Sequence, residues 1–349
     1  MSAALSFNVS VLPSNRSFTV APDEPILTAG IRQGVALPYG CKDGACGSCK
    51  CKMLEGQVTH NKHQSKALSP EEEAKGYILT CCAKPQSNIV LESRQVTTAD
   101  AFPIKRMPSR VISLEKKSHD VMLINLQLPA SDTLQYKAGQ YIEFILRDGA
   151  RRSYSMATAP HIASDSKTLE LHLRHMPGGK FTDHVFGEMK EKEIQRIEGP
   201  FGSFYLREDS DKPMIFLASG TGFAPIKAII QHLQHQGNTR PVTVYWGGRR
   251  PADLYLHEWV LAHVAATPNL SYVPVVSNAL SEDAWTGRTG FVHHAVMADF
   301  PDLSAYQVYA CGAPIVVDSA QADFVKICNL PENEFYADSF ITEADKAKT

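Results

Sequence analysis

The chain has 349 residues, eight cysteines and a formal charge of −2 at neutral pH. That length calls for two or three domains with separate cores. Charges of both signs are spread evenly, which excludes a basic nucleic-acid stripe and a polybasic membrane patch, and no apolar run approaches the roughly 18–20 residues of a membrane helix. Met1-Ser2-Ala3-Ala4-Leu5 lacks a basic segment leading into a long apolar core, so a soluble cytoplasmic protein is expected. Residues 7–11 and 17–20 alternate apolar and polar side chains and predict a hairpin. Residues 25–31 open with Pro25 and keep helical apolar spacing.

Six of the eight cysteines then crowd into residues 41–82. In Pro38-Tyr39-Gly40-Cys41-Lys42-Asp43-Gly44-Ala45-Cys46-Gly47-Ser48-Cys49, three are spaced Cys-x4-Cys-x2-Cys. A fourth follows in Ile78-Leu79-Thr80-Cys81-Cys82-Ala83, with 31 residues between Cys49 and Cys81. This is the ligand spacing of a plant-type 2Fe–2S cluster. A tight loop can deliver three thiolates, and a distant segment must bring the last. Gly40, Gly44 and Gly47 let the loop curl and turn N–H groups toward the sulfurs. Structural zinc sites use paired Cys-x2–4-Cys or Cys/His spacings instead, and a disulfide framework belongs to small secreted domains. Cys82 competes with Cys81 for the fourth position; Cys51 and Cys82 otherwise read as small buried side chains. Residues 69–73 start a short helix with Pro70 and acids in its first turn, and residues 88–92 read as a closing strand. Over residues 1–95, ten Lys and Arg face eight Asp and Glu. Two ferric ions, two sulfides and four thiolates sum to −2, so the loaded segment is near neutral. A freely diffusing carrier often relies on strong acidity for docking; its absence points to electrons arriving from within the chain.

Residues 96–106 have linker character. Strand-like stretches follow at 110–113, 121–128, 140–146 and 168–173, with one helical stretch at 181–189, predicting a small antiparallel barrel. Within it, Arg151-Arg152-Ser153-Tyr154-Ser155 suits a flavin. Arg152 can pair with phosphate, Tyr154 can pack along the ring or ribityl chain, and Ser155 can reach the N5 edge. Taken alone it also reads as an ordinary strand. Arg174-His175-Met176-Pro177-Gly178-Gly179-Lys180-Phe181-Thr182 adds a glycine turn entering a helix, where free N–H groups can hold a pyrophosphate. Residues 198–204 read as a tight turn closing the barrel.

From residue 207 onward strands alternate with helices, which argues a parallel sheet covered on both faces. Gly220-Thr221-Gly222-Phe223-Ala224-Pro225, Gly247-Gly248-Arg249-Arg250 and Cys311-Gly312 all follow strands, at the rim where such sheets bind nucleotides. No full Gly-x-Gly-x-x-Gly is present. Arg249 and Arg250 suit an adenosine phosphate or ribose, and equally suit a solvated loop. His232, His235, His293 and His294 read as surface residues, and Trp246, Trp259 and Trp285 as packing.

The assembled order resembles the ferredoxin–NADP reductase superfamily with an N-terminal plant-type ferredoxin, an order shared by oxygenase reductase components. The resemblance implies a multidomain α+β and α/β protein. Its parts would be a β-grasp ferredoxin at 1–95, a six-stranded antiparallel FAD-binding barrel at 107–206 and a doubly wound NAD(P)-binding domain at 207–349. It puts Cys81, within Leu79-Thr80-Cys81, beside Cys41, Cys46 and Cys49 as cluster ligands. It implies FAD held by Arg152, Tyr154, Ser155, Arg174, Gly179, Lys180 and Thr182, with Phe340 beside the ring. It implies NADH, with NADPH open, at Gly220, Thr221, Gly222, Gly247, Arg249, Cys311 and Gly312. Ser155 and Cys311 would position the two rings for hydride transfer. Ser219 stands where many relatives have glycine. Nicotinamide gives two electrons at once and the cluster takes one, so flavin must stand between them. The expected activity is an NAD(P)H-dependent reductase, a monomer, that serves an oxygenase or deoxysugar dehydrase component. The competing classes are an electron carrier or redox-sensing module without hydride chemistry, and a zinc-stabilised interaction protein.

Overall fold

The computed structural model describes residues 6–93, 96 and 102–342. The chain divides between Pro103 and Ile104 into two compact units. Of the expected linker, residues 97–101 lie outside the described residues, and Lys105 and Arg106 already belong to a strand. No helix among those described is long and apolar enough to cross a membrane.

The first unit contains β1 (Phe7–Leu12), β2 (Arg16–Val20), α1 (Ile26–Arg32), β3 (Lys50–Glu55), β4 (Val58–His60), α2 (Pro70–Ala74), β5 (Tyr77–Leu79), β6 (Ala83–Pro85) and β7 (Ile89–Glu92). Five strands form one sheet in the order β2-β1-β7-β3-β5, and β4 pairs with β6. The alternation read in the sequence is the cause: Val9, Val11, Val20, Ile89 and Leu91 are buried, with Val9 opposite Ile89 and Val11 opposite Leu91 in a parallel pair. Helix α1 buries Ile26, Leu27, Ala29 and Gly30. Helix α2 is closed by a capping box between Ser69 and Glu72, with Pro70 in its first turn.

In the second unit, the first half holds β8 (Lys105–Lys116), β9 (Val121–Gln127), β10 (Tyr141–Ile145), β11 (Arg151–Ser155), α3 (Pro160–Ser166), β12 (Thr168–Arg174), α4 (Lys180–Gly187) and β13 (Ile194–Phe201). Its sheet is antiparallel, in the order β11-β10-β13-β8-β9-β12. The two edges meet at a single bridge, Met156 opposite Leu171, which makes the sheet barrel-like without a full closing ladder. Val111, Ile124, Leu126, Ile142, Phe144, Leu169, Leu171 and Ile197 fill it. Two sequence expectations are corrected here. There are two helices rather than one, and Glu198 to Phe201 continue β13, pairing Phe201 with Tyr141, instead of turning. The turn signal of Gly199-Pro200 is overridden because Gly199 packs against Ile142, where a Cβ would come within 2.9 Å of the Ile142 Cγ2.

The second half holds β14 (Met214–Ser219), α5 (Phe223–His235), β15 (Val242–Gly248), α6 (His257–Ala265), β16 (Leu270–Val276), β17 (Arg288–Thr289), α7 (Val292–Asp299), β18 (Gln307–Gly312), α8 (Pro314–Lys326) and β19 (Phe335–Ser339). Its sheet is parallel, in the order β17-β16-β15-β14-β18-β19. Strand β14 shows why both faces are covered. Met214, Phe216 and Ala218 pack with Phe223, Ile226 and Val260 of α5 and α6, while Ile215 and Leu217 pack with Val296, Val317 and Phe324 of α7 and α8. The order of strands reverses at β14, which puts the switch point at its carboxyl end.

Candidate functional site

In the first unit the loop before β3 and the segment after β5 bring thiols together in two pairs. The Cys46 N–H donates to Cys41 Sγ at 3.3 Å, and the Cys41 N–H to Cys46 Sγ at 3.4 Å. Cys49 Sγ lies 3.2 Å from Cys81 Sγ. Hydrogen bonding to the Cys41 side chain pulls the Cys46 thiol down to about 6, against its burial. A two-by-two set of thiols, with N–H donors on its sulfurs, fits a cluster of two irons. The turns need glycine: Gly44 and Gly47 both have φ of +79°, and a Cβ on Gly44 would come 2.6 Å from Cys82 Sγ. Cys82 Sγ sits 3.6 Å from Cys81 Sγ. Cys51 is buried, and burial with the neighbouring Cys49 pushes its thiol up to about 12, as an inert packing residue requires.

In the flavin-side half, the arginine pair of β11 is split by its neighbours. Arg151 bonds to Glu143 at 2.8 Å and to Glu198. Arg152 makes no ion pair among the described residues, and its Nη1 donates to the Arg151 carbonyl at 2.8 Å. Tyr154 packs 5.7 Å from the Phe181 ring, and burial pushes its phenol up, keeping it neutral. Ser155 is buried at the strand end. The turn before α4 is a cradle. Gly178 has φ of +83° with open space beside it, and α4 has no side-chain cap on Gly179. Thr182 shapes this turn from inside. Its hydroxyl donates to the Met176 carbonyl at 2.9 Å and accepts from the Met176 N–H at 3.2 Å. A Cβ on Gly179 would strike that hydroxyl at 2.7 Å. Lys180 pairs with Asp148 at 2.9 Å and Arg174 with Asp120 at 2.7 Å, so both cations are already partnered. These features fit FAD, whose phosphates the uncapped helix end and Arg152 would hold.

In the nucleotide-side half, Gly220, Gly247 and Gly312 sit at the carboxyl ends of β14, β15 and β18. Gly220 has φ of +54°, and its carbonyl accepts from Trp246 Nε1 at 3.0 Å. Thr221 is buried, and a Cβ on Gly222 would fall 2.1 Å from the Cys311 carbonyl oxygen. Gly312 has φ of +135° and lies against Ser219. Ser219 itself has φ of −129°, so glycine is not needed there. Cys311 is fully buried, in the same core cluster as Trp246, against which Phe340 also packs. The Phe340 N–H donates to the Gly312 carbonyl at 2.8 Å. Arg250 forms a fork on Asp283, with both bonds at 2.7 Å, and also meets Glu282. Arg249 is exposed, with no ion pair among the described residues. The two halves meet where Arg174 Nη1 lies 3.7 Å from the position of a Cβ on Gly220.

The sequence reading missed Glu170, His172, Lys227 and Tyr255, which converge between the halves with no local motif to signal them. It also placed His293 on the surface, whereas His293 is buried with Nε2 3.4 Å from Asp323 Oδ2. Trp246 is a packing residue as expected, stacked on Phe223 at 4.1 Å.

Family models match in the same order as the folded parts. They are the 2Fe-2S iron-sulfur cluster binding domain over residues 9–86, the oxidoreductase FAD-binding domain over 108–205 and the oxidoreductase NAD-binding domain over 216–322. The chain is 41% identical over 340 residues to the CDP-6-deoxy-L-threo-D-glycero-4-hexulose-3-dehydrase reductase of Yersinia pseudotuberculosis, covering 97% of this chain and 99% of that protein. It is 33% identical to reductase component 1 of terephthalate 1,2-dioxygenase from a Comamonas species, covering 97% and 98%. Among solved structures, the Amycolatopsis cytochrome P450 reductase GcoB superposes with a TM-score of 0.78 at 30% identity, covering 96% and 98%. The chain therefore belongs to the ferredoxin–NADP reductase superfamily, in the branch that carries an N-terminal plant-type 2Fe–2S domain, and is an NAD(P)H-dependent iron–sulfur flavoprotein oxidoreductase.

Proposed function

We propose that this chain takes hydride from NADH and delivers electrons singly to the dehydrase component of a nucleotide-linked deoxysugar pathway. The higher identity to a dehydrase reductase than to a dioxygenase reductase supports that acceptor; an oxygenase component is the second reading. When bound, FAD supplies the exchange between two-electron and one-electron chemistry. The observation that supports the reading is the meeting of Arg174 from the flavin-side sheet with the Gly220 turn, as a shared site for flavin and nicotinamide would require.

In this reading Arg152, Tyr154, Ser155, Gly179, Lys180 and Thr182 hold FAD, with Arg174 set by Asp120 at the border of the two rims. Gly220, Thr221, Gly222, Gly247 and Gly312 admit the nucleotide backbone closely. Cys311 and Phe340 back the nicotinamide position. Cys41, Cys46, Cys49 and Cys81 bind the cluster. Neutralisation of Arg250 by Asp283 and Glu282 favours NADH, while the open Arg249 leaves NADPH as a second nucleotide. The protein acts as a cytoplasmic monomer.

The test is an anaerobic titration with NADH and then NADPH, watched by visible absorption, followed by addition of a purified dehydrase or oxygenase component. Bleaching of flavin and cluster bands by NADH, reversed by the dehydrase, is the expected result. A cluster that stays oxidised while flavin bleaches, or re-oxidation only by an oxygenase component, overturns the corresponding part.

A further inference from the structure

Four titratable side chains outside the cofactor motifs meet where the flavin-side sheet packs on the nucleotide-side helices. The His172 side chain is 0% exposed. Its Nδ1 lies 2.8 Å from the Tyr255 hydroxyl and its Nε2 lies 2.8 Å from Glu170 Oε1. The same Glu170 oxygen lies 3.0 Å from Lys227 Nζ, and Lys227 also donates to the Ala157 carbonyl at 3.3 Å. One set of protons satisfies every member. Lys227 donates to Glu170, Glu170 also accepts from the His172 Nε2–H, and the bare Nδ1 accepts from the Tyr255 O–H. Although burial works the other way, the bonds from His172 and Lys227 hold Glu170 down to about 2. Burial holds His172 below its ordinary value, hence neutral.

Position gives this network its meaning. Glu170, His172 and Ala157 belong to the flavin-side half, and Ala157 follows Ser155 by two residues. Lys227 and Tyr255 belong to the nucleotide-side half. Lys227 lies on α5, the helix that the Gly220–Gly222 turn opens. Tyr255 meets the Trp246 ring edge-on at 5.1 Å, and Trp246 in turn holds the Gly220 carbonyl. A buried ion pair adds little stability over an apolar contact of the same shape. Its directional bonds, however, are all satisfied in only one relation of the two halves.

We propose that Lys227, Glu170, His172 and Tyr255 form a latch that fixes the strand end at Ser155 against the nucleotide turn at Gly220, and so act as positioning residues for hydride transfer. This rests on the reading that those two segments hold FAD and NADH. Misplacing reacting groups by about 1 Å can cost on the order of a hundredfold in rate, so loosening the latch should lower the rate at saturation more than the affinity.

The experiment uses the full chain loaded with FAD and cluster. Tyr255→Phe, Lys227→Met and Lys227→Arg are compared with the parent by stopped-flow flavin reduction at saturating NADH, with light and 4-deuterated NADH. A second readout is the long-wavelength charge-transfer absorbance formed when NAD is added to the reduced protein. We expect Tyr255→Phe and Lys227→Met to slow reduction about tenfold or more and to weaken the charge-transfer band. FAD content and the NADH concentration dependence should stay within about twofold of the parent, and Lys227→Arg should recover part of the rate. Tyr255→Phe combined with His172→Asn should be little worse than His172→Asn alone, because that change already removes the bond to the Tyr255 hydroxyl. Parental rates and charge-transfer bands in both Tyr255→Phe and Lys227→Met overturn the latch alone. If Lys227→Met does not fold, Tyr255→Phe, which removes one hydroxyl, decides. A parent that NADH does not bleach overturns the cofactor reading and the latch with it.

Discussion

The α-carbon of Gly222 packs so tightly under Cys311 that a Cβ there would sit 2.1 Å from the Cys311 carbonyl oxygen. Backbone lies on both sides, so no side chain can swing away. Gly222→Ala must push the turn after β14 off β18. We expect a loss of about 1–3 kcal/mol or more in stability, read by chemical denaturation, together with a weakened NADH response. Gly237→Ala is the control, since Gly237 has nothing within 4 Å of its Cβ position; its φ of +64° makes only a local cost.

The thiol pairs make a sharp prediction about ligands. Cys81→Ser should abolish or strongly alter the cluster absorbance and its electron paramagnetic resonance signal, whereas Cys82→Ala should keep both. Cys82 lies 3.6 Å from Cys81 Sγ, so a swap of roles is the competing outcome. A full cluster in Cys81→Ser that disappears only when Cys82 is also removed would make Cys82 a ligand in that variant. Loss of the cluster in Cys82→Ala alone would reverse the assignment.

Arg249 and Arg250 are adjacent yet should behave differently. Arg250 is held by Asp283 and Glu282, so Arg250→Ala should loosen that loop and leave the ratio of NADH to NADPH turnover unchanged. Arg249→Ala should lower the NADPH activity by about tenfold to a hundredfold, the scale of one lost charge-assisted bond of roughly 1.5–3 kcal/mol. Steady-state kcat/KM for both nucleotides checks this.

The latch also sets a pH dependence. Glu170 is held to about 2 in the folded chain against an ordinary 4.5. A carboxyl lowered by folding adds stability that is present above 4.5 and lost as pH falls toward 2, here about 3 kcal/mol at 1.4 kcal/mol per unit. His172 is also lowered, by burial. Below 6.5 the unfolded chain takes up a proton that the folded chain refuses, so stability falls with pH there too. Burial lowers His60, His161, His263 and His293 in the same sense, so the slope is shared. Denaturant midpoints measured from about pH 7.5 to 5.5 should fall, and fall less steeply in His172→Asn.

What the sequence determined by itself was local. Cys-x4-Cys-x2-Cys puts three ligands in one loop, so its spacing alone identifies a cluster loop, whereas Arg-x-Tyr-Ser and Gly-Thr-Gly-Phe-Ala-Pro are short patterns that take their meaning from their order along the chain. Period-two and helical patterns likewise named the three kinds of fold in the right order, because those periods reflect burial on one face. The tertiary structure decided what depends on distant partners. It bound Arg151 to Glu143 and Glu198 and Arg250 to Asp283, leaving their neighbours Arg152 and Arg249 with no ion pair among the described residues. It carried β13 through Gly199-Pro200, where packing on Ile142 outweighs a local turn preference. Above all it joined Tyr255 to His172, 83 residues apart. A buried polar bond of that kind exists only once two separate surfaces have excluded water around it, and no pattern along the chain records that event.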